Sequence, residues 1–147
     1  MGQQQLLLLI LASVIVGLAV IAGIDAFEEN QVRSNADAMT TEVVGMASDF
    51  QAWALKPTQF KGGGGWSNFT ASNVAFSDVG IDSTSTYTTS AYEVTSDPTN
   101  LSGTCGLSSA DGKIFVGGQN TDYGNSVCVA IDGPNSEDIE TDINYGN

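Results

Sequence analysis

Residues 6–24 read LLLLILASVIVGLAVIAGI, and residues 25–29 follow at once with DAFEE. Thirteen of those nineteen positions are Leu, Ile or Val, and none carries a charge. On an insertion scale each such residue favours the bilayer centre by roughly 0.3–0.6 kcal/mol. Nineteen helical residues at about 1.5 Å each nearly match a ~30 Å hydrocarbon core. A cleavable secretory signal fits less well, because no basic residue precedes the run and no A-x-A site separates it from the acidic patch. The run therefore reads as a retained membrane-length helix.

The helical pattern continues past the acid. Ala36, Met39, Val43, Met46, Phe50 and Trp53 recur at alternating spacings of three and four, with Asp37, Glu42, Ser48, Asp49 and Gln51 elsewhere on the circumference. Nothing breaks the pattern before Pro57, so the helix is expected to run from about Gln3 to Leu55, roughly 80 Å. Its first half is apolar all round and its second on one side only. One reading of the second stripe is a coiled-coil stalk. The other, favoured because Met, Phe and Trp replace a Leu/Ile heptad seam, is packing on the protein's own domain.

The 147 residues leave room for one modest domain beyond that helix. Four basic residues (Arg33, Lys56, Lys61, Lys113) face seventeen acidic ones, a net charge of −13. Such a surface repels nucleic acid and anionic headgroups, so neither is an expected partner. Ser, Thr, Asn and Gly carry most of the polarity, the texture of an exported β-rich domain. There is no histidine, which removes the commonest general base and transition-metal ligand. No nucleophile–base constellation replaces it, so neither an enzyme nor a cofactor is expected. Cys105 and Cys128, an even pair beside a hydrophobic N-terminus, predict a structural disulfide in an oxidising compartment. That places the C-terminal domain outside and the N-terminus in the cytoplasm.

After the helix, Lys61-Gly62-Gly63-Gly64-Gly65 predicts a flexible loop. Four strands are expected, at about Asn68–Val79, Thr86–Thr95, Gly112–Gly117 and Ser126–Ile131, separated by turn signals such as Asp97-Pro98 and Asp122-Tyr123-Gly124. The fold class is thus α+β, with the long helix packed on a small antiparallel sheet. In it Cys128 sits on the last strand and Cys105 in the loop before the third. Asp132 to Asp142 is densely acidic. It reads as a solvated surface, with calcium binding the weaker alternative because the spacing is not that of an EF-hand. Asn68-Phe69-Thr70 and Asn100-Leu101-Ser102 satisfy the N-glycosylation pattern.

A glycine, polar residues, an all-apolar helix running into an amphipathic one, and a disulfide-stapled β domain together resemble a type IV pilin. The motif-level likeness lies in the first thirty or so residues. The resemblance implies that a prepilin peptidase cuts between Gly2 and Gln3, discarding residues 1–2. Residues 3–24 would then serve first as a transmembrane helix and then as filament core. Residues 25–56 would be its amphipathic half, 57–67 a Gly-rich loop and 68–147 the globular domain. The implied partners are the membrane before assembly, the peptidase and assembly platform, and copies of the same chain. Gly17 and Gly23 fall where pilin helices are often stretched in the filament, and Ser13 is among the small residues that permit close helix approach. Leu7 departs from the family, which keeps a glutamate there to meet a neighbour's terminal amine. Gln3, Gln4 and Gln5 offer side-chain amides in its place. A mature N-terminal Gln is also similar to archaeal pilins and archaellins. A minor pilin or pseudopilin, and a membrane-anchored binding domain that never polymerises, are the competing expectations.

Overall fold

A computed structural model of the protein describes residues 2–81, 92–108 and 112–146. One α-helix, α1, spans Gly2–Leu55, 54 residues without interruption. Its end has a local cause. Pro57 lacks an N–H and disfavours helical backbone at Lys56. The glycine run, expected as a flexible loop, is instead folded back as a cap on the open carbonyls. The N–H of Gly63 donates to Trp53 O at 2.9 Å, that of Gly65 to Ala54 O at 2.9 Å, and that of Gly64 to Lys56 O at 3.0 Å. Gly65 holds φ at 123°, which a side chain would resist. Trp53 Nε1 donates to Lys61 O at 3.0 Å and closes the same turn.

Four antiparallel strands form an open sheet in sequential order: β1 Glu93–Thr95, β2 Ile114–Gln119, β3 Ser126–Ile131 and β4 Ile139–Asn144. Val116 pairs with both Val94 and Val129, and Ile131 with Ile139. The α+β architecture is the expected one, but two strand assignments differ. Asn68–Val79 is not a strand. Short 3-10 turns at Trp66–Asn68 and Phe76–Asp78 stand at its two ends, and between them Phe69 and Val74 reach into the core. The fourth strand comes from the acidic tail, where Ile139 and Ile143 pack inward and Glu140 stays exposed. The expected strand Thr86–Thr95 lies partly outside the described residues; its described end contains β1.

The second half of α1 covers one face of the sheet. Met39, Val43, Met46, Ala47, Phe50 and Ala54 are buried against Ile114, Val116, Val127, Val129 and Ile131, with Trp53 half-buried at the edge. The stripe is therefore filled by the chain's own sheet. Gln51, placed off the stripe by its polarity, is also buried, because its Nε2 donates to Gly133 O at 2.7 Å and Asn135 O at 2.9 Å.

The other face carries a second, smaller core. Leu101, Phe115, Cys128 and Ala130 are buried there beneath residues 101–107. This segment straps across the sheet from edge to edge. Ser102 donates from N and Oγ to the Glu93 carboxylate on β1, at 2.7 and 2.6 Å. Cys105 bonds to Cys128 on β3. The Gly106 N–H donates to Asp142 Oδ2 on β4 at 2.7 Å. Coverage on both sides explains why β2 and β3 read as near-continuous apolar runs rather than alternating ones. The disulfide thus forms between the expected cysteines, although Cys128 lies on the third strand of the sheet, not the last.

Candidate functional site: an unpartnered apolar helix

The sheet ends before the helix does. Ala36 is the first buried residue of α1, and just N-terminal to it an asparagine clasp ties the helix to the β2–β3 turn. Asn35 Oδ1 accepts from Asn120 Nδ2 at 2.8 Å and from Asn125 Nδ2 at 3.2 Å, and Asn125 Nδ2 also meets Val32 O. Asn120 shapes its own turn, its Oδ1 accepting from the N–H of Asp122 at 2.8 Å. Below the clasp roughly thirty residues, about 45 Å of helix, stand clear of the domain.

From Leu6 to Ile24 that free segment is apolar on every side. All thirteen Leu, Ile and Val side chains between Leu6 and Ile24 are 52–69% exposed, and Phe27 is 71% exposed. Complete burial of one such side chain is worth about 1.5–3 kcal/mol. Covering the exposed part of fourteen amounts to something like 10–20 kcal/mol, as much as holds an ordinary domain folded. The helix is long and apolar enough to cross a membrane. The only hydroxyl between Leu6 and Ile24, that of Ser13, donates to Ile10 O at 2.8 Å and needs no outside partner. Gly17 and Gly23 are in continuous helix with open space around them. Gln3, Gln4, Gln5 and Leu7 are exposed at its start, beside Gly2.

Where the apolar run ends the surface turns acidic. Asp25, Glu28, Glu29 and Asp37 line a groove of about 700 Å³ with Val32, Arg33 and the C-terminal Tyr145. Arg33 lies across Glu29 at 2.6 Å, an exposed pair one helical turn apart. Tyr123, on the other flank, hydrogen-bonds Gln31 at 3.4 Å.

The remaining sequence candidates are scattered. Asn68 and Asn100 are both exposed, each followed by a buried residue, Phe69 and Leu101. The acidic tail gathers no group of three metal-ligating side chains among the described residues. Two of its carboxylates serve the fold instead: Asp138 accepts from the Asn135 N–H at 2.9 Å, and Asp142 anchors the strap. Asp97 caps the short turn at Pro98–Asn100, and its carboxyl is held below the ordinary aspartate value of 3.8 by hydrogen bonds from the Thr99 hydroxyl and N–H. The asparagine clasp, the strap and the buried Gln51 were not anticipated. Each is a long-range contact of a polar residue in a chain full of similar ones, and only the Asp122-Tyr123-Gly124 turn signal marked the neighbourhood of the clasp. No family model, curated protein or solved structure matches this chain.

Proposed function

We propose that this chain is the major structural subunit, a pilin, of an extracellular type IV pilus-like filament, supporting adhesion, motility or surface attachment. One observation carries the reading. A single rigid helix offers large apolar side chains on all sides of its first half, while its second half is locked to a disulfide-stapled sheet. A helix apolar around its whole circumference is stable in lipid and equally stable among copies of itself. The same segment would thus hold the precursor in the cytoplasmic membrane and later form the filament core. The precursor is cut between Gly2 and Gln3 by a prepilin peptidase and passed to an assembly platform. The role is structural: the chain has no histidine to serve as a general base.

Electron microscopy of filaments sheared from cells, with mass spectrometry and N-terminal sequencing of the protein in them, tests the proposal. Filaments made mainly of this chain and starting at Gln3 are the expected result. Scarcity in otherwise abundant filaments would make it a minor pilin or pseudopilin. Retention in the membrane fraction with Met1 and Gly2 intact would make it a membrane-anchored domain that does not polymerise.

A further inference from the structure

A filament of copies that each carry −13 brings like charges together, and like charges across an interface cost several kcal/mol. The placement of the few cations is therefore informative. Among the described residues Arg33 and Glu29 form the only ion pair. Asp25, Glu28 and Asp37 are left lining the groove beside Val32 and Tyr145, which is 48% exposed. Only Lys56, Lys61 and Lys113 remain to oppose carboxylates on another copy. Lys113 lies over the Trp66 ring at 5.3 Å. Lys56 and Lys61 are exposed at the far end of α1, where they bracket the turn that ends the helix. Lys56 shares a shallow groove with Asp49 and Asp78 without pairing to either. Beside the two lysines stand Leu55 and Phe60, 53% and 67% exposed.

Groove and tip are complementary in kind. One sets carboxylates around Val32 and Tyr145, and the other sets ammonium groups around Leu55 and Phe60. We infer that the lysine-bearing tip around Leu55–Lys61 of one copy docks in the acidic groove at Asp25, Glu28 and Asp37 of a second copy. This contact rests on the filament reading. Two different surfaces of the same molecule meet, so the contact is heterologous and propagates into an open polymer. From Glu28 to Leu55, next to Lys56, is 27 residues of one helix, so the two copies are offset along the axis by about 40 Å. The chain's lysines thereby offset part of the repulsion that its net charge imposes.

Charge reversal on the full chain, expressed in cells that assemble it, tests the contact. Lys56→Glu with Lys61→Glu, and separately Glu28→Lys with Asp37→Lys, should each lower the yield of sheared filaments at least tenfold. All these side chains are solvent-exposed, and the Cys105–Cys128 bond reports that each variant still folds. Combining the four changes should restore most of the yield. In a separate variant, Glu28→Cys with Lys61→Cys should give disulfide-linked ladders of copies in oxidised filaments. Reversals that leave yield unchanged, a combination that fails to rescue, or the absence of ladders would each overturn the contact. So would filaments that ignore lysine reversal but fall apart in a chelator, which would assign the groove to bridging cations. No filaments from the unaltered chain would defeat the filament reading itself, an outcome distinct from all of these.

Discussion

The Gln51 side-chain amide, inside the packed face of α1, donates to the carbonyls of Gly133 and Asn135, 2.7 and 2.9 Å away and more than eighty residues along the chain. It pins the β3–β4 connection to the helix at one end of the sheet, as Asn35 pins the β2–β3 turn at the other. Replacing Gln51 with Leu leaves the buried Gly133 carbonyl without its partner, a loss of about 1–3 kcal/mol. Urea unfolding of the full chain in detergent, followed by Trp53 and Trp66 fluorescence, should show the lower midpoint.

Leu101 sits on Gly117. A methyl group there would lie 2.9 Å from Leu101 Cδ1 and 3.0 Å from Cδ2. Gly117→Ala should therefore lift the strap and cost about 1–3 kcal/mol. The same change at Gly45, which has open space around it, should leave stability equal or slightly raised. Comparison of the two melting temperatures separates a packing effect from a general glycine effect.

Cys105 and Cys128 close a loop with a sequence separation of 23. In the chain-entropy model such a loop is worth about 3 kcal/mol. Cys105→Ser with Cys128→Ser should lower stability by that order and raise hydrogen exchange across residues 101–107 more than across the helix-facing core. Equal loss of protection on both faces of the sheet would refute the strap as a separately anchored element.

The Asp97 carboxyl is held below its ordinary value by Thr99. A depressed carboxyl contributes its stability above the unfolded value and loses it as pH falls through the folded one. Protection of the Thr99 amide should accordingly decline as pH is taken below about 4, and Asp97→Ala should abolish that dependence. Amide exchange by NMR reads both.

Near the middle of the exposed apolar run stands Val16. Val16→Lys places a charge there at a cost of about 2.5–3.5 kcal/mol at the bilayer centre. The variant should be recovered less from the membrane fraction after alkaline extraction, with the disulfide-linked domain unchanged.

Some of this protein is local and was legible as such. An unbroken apolar run, a stripe at spacings of three and four, and Pro57 determine one long helix and its end, because helix formation depends on neighbours within a turn or two. Ser126–Ile131 was equally plain, being apolar from Val127 onward. The edge of the sheet was not. Ile139, Thr141 and Ile143 alternate with Glu140, Asp142 and Asn144, but the density of acid there outweighed a pattern with only two large apolar residues. Asn68–Val79 has comparable alternation and became turns. Which of the two joined the sheet depended on pairing with β3, through Ile131↔Ile139 and Val127↔Ile143. Strand identity is a contract between distant segments, so tertiary structure alone decided it. The strap across the far face and the burial of Gln51 were settled in the same way. The bare apolar helix is the opposite case: the sequence by itself determined that it needs a cover, because nineteen consecutive uncharged residues are apolar around the whole helix wherever it packs. That the domain does not supply the cover was decided by the tertiary structure, whose cores are built without it.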